Sequence, residues 1–397
     1  IGGKEVLSYA DMMQKFAKLS GLRKRWIIQV PVLTPKLSSL WIGFVTPVPT
    51  SLARPLVESL ISEVVADQKK SIDSIIPPPP EGFIDDADEL AIRSADLLAL
   101  DGDQHRKCRR TVTSKFSFKA VNSYTEIVSA LVSKQLAHLR SQPQPVDLTE
   151  HYSEPISIAN HAFVLGIPDS MVSEFERTFV GTASREDRIT FVRDIYKYRK
   201  GNPAEDLISH LIASELTQAE VEGLIYVFFT SGRDSVAYMI STSMVALLQH
   251  PDQLAYLQKN LPLSQEAIEE LMRYCAMFVT LFPRTALEEM EIAGQKIEIG
   301  QSVSVSPVAV NRDSRIWDDP DTLKLDREIK AHLSFGHGIH GCVGQQLARL
   351  VIQESLSQLL GAVNSIELVS AEQLEPMEFA HPVATYNVGK VFLTWEN

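Results

Sequence analysis

The chain has 397 residues, 45% of them hydrophobic, and a net charge of −12. That length permits a sizeable core and two or three domains of about 150 residues each. The acidic balance argues against nucleic acid or an anionic membrane as the main partner, and Cys108, Cys275 and Cys342 are too few, and odd in number, for a disulfide framework.

In chain order, the opening segment is polar and glycine-containing, unlike a secretory leader. Its most apolar stretch, Trp26 to Val45, is interrupted by Pro31, Pro35 and Lys36, too broken for a span of about 20 apolar residues. A cytoplasmic protein that does not cross a membrane is expected. The run IIPPPPEGF, Ile75 to Phe83, cannot donate backbone hydrogen bonds at its four prolines and favours a stiff extended conformation. It marks a boundary near 75–95; a proline-rich surface loop within one domain is the other reading.

Beyond the boundary the pattern is mainly helical. DGDQHRKCRR lies in a stretch with apolar and basic residues at helical spacing. The segment from Leu216 to Pro251 reads as one long, apolar, buried helix, begun by Thr217 and Glu220 in capping-box spacing. Asp234 sits within that apolar run, a costly place for a charge that is neither paired nor functional. SQEAIEELMRYC reads as a helix capped by Ser264. MEIAGQKIEIGQSVSVSPVAV has period-2 stretches and turn glycines and reads as strands. A helix follows over GQQLARLVIQESLSQLLGAV, then a hairpin over HPVATYNVGKVFLTW. The fold class is α+β, mainly α, with small β-sheets.

The stretch FGHGIHGCVG, Phe335 to Gly344, sets one cysteine in a glycine-rich loop just before a helix. Gly336, Gly338, Gly341 and Gly344 allow positive φ or close backbone approach to a flat ligand. A helix N-terminus lowers a thiol's pKa and favours thiolate, so Cys342 suits axial ligation of haem iron. Three other readings stand beside it: an inert buried thiol, a zinc ligand with His340, and a nucleophile with His337 or His340 as base.

FGHGIHGCVGQQLAR resembles the haem-binding motif of the cytochrome P-450 superfamily. The resemblance runs from about residue 95 to 397 and implies that fold, with a long buried distal helix. It implies haem b with Cys342 as the proximal thiolate, Phe335 packed beside it, His340 on a propionate and Gly344 in the loop. EELMRY resembles the family's Glu-x-x-Arg pair, which makes Glu270, Arg273 and Arg327 a structural network under the haem. DGDQHRKCRR and FPRTA resemble the segments that bring His105, Arg109 and Arg284 to the propionates. Arg106, Lys107 and Arg110 would then face outward as a basic dock for an acidic electron carrier.

FFTSGRDSVAYM resembles the distal motif in which glycine opens a groove for dioxygen and an acid–alcohol pair delivers protons. Gly232, Asp234 and Ser235 hold those places, with Ser235 replacing the usual threonine, Val236 the next, and Ser231 an alanine. Phe229, Ser231, Val279 and Leu281 are candidate pocket walls. The implied function is a monooxygenase that hydroxylates or oxidatively couples a small, specialised-metabolite substrate. The implied electron source is NAD(P)H, through ferredoxin reductase and ferredoxin.

The first ninety residues depart from this family. They resemble the C-terminal part of extended short-chain dehydrogenases or NAD-dependent epimerases, without a glycine-rich dinucleotide loop after a strand. The span from GIPDS to EDLISHL is short for the helices that cover a P-450 pocket. A haem-binding relic or sensor with little turnover, and an NAD-dependent epimerase or reductase fragment fusion, are the rival readings.

Overall fold

The protein is described from a computed structural model over residues 95–181, 183–374 and 387–396. The chain divides between Asp85 and Asp86, and the described residues belong to the second unit, Asp86–Asn397. The atypical N-terminal segment and the proline run lie outside the described residues.

The second unit opens with α1 (Gly102–Thr113), α2 (Phe118–Asn122) and α3 (Thr125–Ser141), followed by the short strand β1 (Val146–Asp147). Next come α4 (Glu154–Leu165), α5 (Asp169–Phe175), α6 (Arg185–Gly201) and α7 (Leu207–Ile212). Then α8 (Gln218–Thr230), α9 (Arg233–Gln249), α10 (Pro251–Lys259) and α11 (Gln265–Tyr274) lead to β2 (Arg284–Thr285), β3 (Met290–Ile292), β4 (Gln295–Ile297) and β5 (Ser302–Val303). The turn α12 (Pro307–Val310), the long α13 (Gln345–Ala362), β6 (Asn364–Leu374) and β7 (Asn387–Glu396) complete the order. No described helix is long and apolar enough to cross a membrane.

The expected single helix from Thr217 to Pro251 is two helices. The capping box starts α8: Thr217 Oγ1 accepts the Glu220 N–H at 3.3 Å and Glu220 Oε2 accepts the Thr217 N–H at 2.7 Å. The helix stops at Ser231, and Gly232 takes φ +92°, a conformation that favours glycine and breaks the right-handed run. The break serves two cores. Val221, Leu224, Ile225, Phe228 and Phe229 of α8 pack with α1, α5, α6 and α7. Met239, Ile240, Met244 and Leu247 of α9 pack with α3, α11, α13 and the β6–β7 ribbon. A straight apolar cylinder would not present its faces to both.

The sheets are small and antiparallel. β6 pairs β7, and β7 also takes β1, with Val146 opposite Leu393. Of the expected terminal hairpin, residues 381–386 lie outside the described residues, and its second arm, β7, pairs with Asn364–Leu374. β2 pairs β5, with Arg284 opposite Val303, and β3 pairs β4 through Ala293 and Gly294 at positive φ. The expected strand at SPVAV is instead the turn α12, begun by Ser306, whose Oγ accepts the Ala309 N–H.

Candidate active site

The cysteine loop hangs from α11. Arg273 is 1% exposed and grips Glu270 with two bonds, Nε to Oε2 at 2.7 Å and Nη2 to Oε1 at 2.8 Å. Arg327 Nε adds a third at 3.0 Å, and the Lys324 N–H a fourth at 2.9 Å. A buried carboxylate is tolerable when so many donors meet it. Arg273 Nη1 also donates to the Asn311 carbonyl at 2.8 Å. Asn311 is fully buried, and its side chain accepts the Leu333 N–H at 2.8 Å and donates to Ser334 Oγ at 2.8 Å. Ser334 in turn donates to the Met272 carbonyl at 2.7 Å. The ion-pair network thus fixes the strand of chain that enters Phe335–Gly344. The sequence singles out Glu270, Arg273 and Arg327 but not Asn311, whose only signal is an amide before an arginine.

Within the loop, Gly336 and Gly338 take φ +68° and +77°, values that tax any side chain. Gly341 has ordinary φ but no room: an added Cβ would sit 3.2 Å from the Gly338 carbonyl oxygen. The Cys342 N–H donates to the Phe335 carbonyl at 2.8 Å. Gly344 is the N-cap of α13. The N–H groups of Gly344 and Gln345 stabilise charge on the Cys342 sulfur, as do Arg109 and Arg349. Desolvation by the protein packed around the loop nonetheless outweighs them and leaves the thiol above its ordinary value, although the Cys342 side chain itself opens to solvent. The helix-start N–H groups act toward thiolate as expected, against the desolvation of the loop.

Of the three thiols, Cys342 alone is exposed. Cys108 is fully buried, and burial pushes Cys275 to about 12. The inert-thiol reading therefore suits those two and not Cys342. Among the described residues no group of three or more His, Cys, Asp or Glu is placed to hold a metal ion, so the zinc reading gains no ligand set. His340, the candidate base, commits Nε2 to Asp101 Oδ1 at 2.9 Å and Nδ1 to the Leu97 carbonyl at 3.1 Å.

The structure brings His105, Arg109 and His340 to this loop. The His105 ring lies 4.5 Å from that of His340, and Arg109 Nη2 donates to the Gly341 carbonyl at 2.5 Å. His105 is 2% exposed, yet neither ring nitrogen has a partner. Burial holds it below its ordinary pKa. Arg284 is exposed on β2 and acts on Asp101 electrostatically. A cationic cluster beside an exposed thiol, with two partnerless imidazole nitrogens, fits a flat group that carries its own carboxylates. Haem meets that description, with Cys342 as its ligand.

The distal residues are placed less as expected. Asp234 is exposed in the first turn of α9, not buried mid-helix, and pairs with Arg233 at 2.5 Å. The break at Gly232 moves it to a helix start, where a carboxylate is favourable. Ser235 donates its hydroxyl to the Gly232 carbonyl at 3.1 Å. Phe229 is 1% exposed within an aromatic cluster, 5.0 Å from Phe179 and 5.2 Å from Phe175. It is core rather than pocket wall, because α6 and α5 close over it. Ser231, Val279 and Leu281 are half-buried, and the Leu281 N–H is tied to the Val305 carbonyl at 2.9 Å. On α1, Lys107 pairs with Glu220 at 2.7 Å and Arg106 pairs with Asp103, which leaves Arg110 exposed as the remaining part of the basic dock.

Comparison with known proteins agrees with this geometry. The family model described as Cytochrome P450 matches residues 161–378. Cytochrome P450 105C1 of Streptomyces sp is 29% identical over 305 residues, covering 74% of this chain and 80% of that protein. Cytochrome P450 FAS1 of Rhodococcoides fascians is 32% identical over 288 residues, covering 69% and 72%. Among solved structures, the LnmA cytochrome P450 hydroxylase from the leinamycin biosynthetic pathway of Streptomyces atroolivaceus superposes with a TM-score of 0.67 at 26% identity, covering 75% and 81%. With the mainly helical architecture, the small antiparallel sheets and the thiol loop, these matches make the chain a member of the cytochrome P450 family, an oxidoreductase whose iron is carried by haem.

Proposed function

We propose that this chain is a monooxygenase that uses dioxygen to hydroxylate, or oxidatively couple, a small organic substrate of specialised metabolism. The observation that carries the reading is Cys342: an exposed thiol at a helix start, flanked by two N–H groups and next to Gly341, whose carbonyl accepts from Arg109. When bound, haem supplies one-electron iron chemistry and dioxygen activation, driven by electron density from the thiolate.

The chain's own residues do the rest. Arg109 and His105 would hold the propionates, with Arg284 and His340 at the edge of the same cluster. Asp234 lies where solvent reaches it and would take up protons, and Ser235 Oγ would pass them inward at the break beside Gly232. Serine is freer at χ1 than threonine, so its bond to the Gly232 carbonyl does the orienting. The resemblance of the LnmA hydroxylase supports the metabolic class. Electrons would come from NAD(P)H through ferredoxin reductase and a ferredoxin docked near Arg110. We assign the haem domain to 95–397 and treat 1–90 as a separate segment.

The test is the absorption spectrum of the purified protein, reduced with dithionite under carbon monoxide. The thiolate-type Soret band is expected, and Cys342→Ala should abolish it. A chain that binds no haem overturns the proposal. A chain that binds haem but shows no substrate-induced spin shift and consumes no NADPH with ferredoxin is the relic instead.

A further inference from the structure

Glu269 and Glu270 are neighbours on α11, so their side chains leave the helix about 100° apart. Glu270 enters the network already described. Glu269 turns to the cysteine loop and the helix after it. Arg349 of α13 grips its carboxylate with two bonds, Nε to Oε1 at 2.5 Å and Nη2 to Oε2 at 2.9 Å. His332 Nε2 meets Oε2 at 3.0 Å. The Ser334 N–H donates to His332 Nδ1 at 3.2 Å, which sets the imidazole proton on Nε2, facing the acid. The Glu269 side chain is nearly buried, and its donors hold it at about 2, so it stays ionised.

The clamp reaches the sulfur by a short route. The Arg349 guanidinium lies 4.6 Å from the centroid of the Phe335 ring. The Phe335 carbonyl accepts the Cys342 N–H at 2.8 Å. Nothing in this arrangement touches the Glu270 carboxylate.

We propose that Glu269, Arg349 and His332 form a positioning clamp, distinct from the Glu270 ion pairs and joined to that network through Ser334, that sets the charge felt by the Cys342 sulfur and through it the reduction potential of the haem iron. The inference rests on the haem-thiolate reading. Reduction adds one electron to the iron–sulfur unit. A cation beside Phe335 favours that electron, and Glu269 offsets the cation. Removing Glu269's charge leaves Arg349 unbalanced and favours the reduced form. Removing Arg349's charge leaves Glu269 unbalanced and favours the oxidised form. Residues that only shaped the loop would, when altered, loosen the sulfur in the same way from either side.

The experiment is a redox titration of the haem-loaded protein, read with the carbon monoxide spectrum, over Glu269→Gln, Arg349→Gln, the double variant and Arg349→Lys. A fixed charge near the sulfur, at an effective dielectric near 20, shifts the reduced-to-oxidised ratio on the order of tenfold, or 59 mV for one electron. Glu269→Gln should raise the ratio by about that factor and Arg349→Gln should lower it. The double variant and Arg349→Lys should return to within about threefold of the parent. All should keep the thiolate-type band. Single variants that shift the same way, or that do not shift while keeping the band, overturn the clamp. Where a glutamine variant fails to take up haem, Arg349→Lys decides: a tenfold displacement there overturns the proposal. A parent protein without the thiolate-type band sinks the haem-thiolate reading instead.

Discussion

Arg273→Met removes the guanidinium at the centre of the Glu270 network and keeps most of its volume. Losing one partner of a buried ion pair costs about 3–5 kcal/mol. Glu270 retains Arg327 at 3.0 Å and the Lys324 N–H at 2.9 Å, which places this part at the low end. The carbonyls of Asn311 and Pro320 each lose a donor at 2.8 Å, at about 1 kcal/mol apiece with some recovery from water. The sum is about 4 kcal/mol. At about 2 °C per kcal/mol for a domain of this size, Tm should fall by about 8 °C. Because Asn311 holds Leu333 and Ser334, the Soret band should be lost before the helical signal on heating. Far-UV circular dichroism and Soret absorbance recorded together measure both. Arg273→Lys keeps the charge but not the paired bonds and should recover less than half. A folded Met variant with Tm within about 2 °C of the parent, and unaltered order of loss, refutes the reasoning.

Three other outcomes are expected. His161 is held at about 4 by burial, below its ordinary 6.5. The unfolded chain therefore takes its proton first, and stability falls by up to about 3 kcal/mol as pH drops from about 6.5 to 4. Glu269, held at about 2 against an ordinary 4.5, adds a second loss lower down, as pH falls below about 4.5. Urea midpoints against pH should show the first loss vanish in His161→Phe, and a variant that keeps it contradicts the assignment. Gly232→Ala meets no clash, since its Cβ would lie 3.8 Å from His161, but it inherits φ +92° and should cost about 1–3 kcal/mol, read as a drop in Tm. Alkylation of the iron-free protein followed by mass spectrometry should label Cys342 at least about tenfold faster than Cys108 or Cys275, and equal labelling would contradict the burial pattern.

Much of the site was legible because the chemistry is local in sequence. The loop Phe335–Gly344 carries its thiol, its turn glycines and the start of the following helix within ten consecutive positions. Glu270 and Arg273 share one helical turn, and Ser264 and the Thr217–Glu220 box mark helix starts that the structure shows as drawn. What was misread depended on distant partners. The break at Gly232 is invisible to hydrophobic periodicity, since both halves are apolar, and it moved Asp234 from a buried interior to an exposed helix start. Phe229 became core only because Phe175 of α5, Phe179 of the turn that follows it and Phe191 of α6 arrive around it.

By itself, then, the sequence determined the mainly helical class, the thiol loop and the ion-pair spacing on α11, because each is written at separations of a few residues where backbone geometry alone brings groups together. Tertiary structure decided the rest. Asn311 ties Arg273 to the loop across 38 positions, Arg349 reaches Glu269 across 80, and His105 meets His340 across 235. Such contacts follow from how buried faces pack, and a buried face is compatible with many partners until the whole core is assembled.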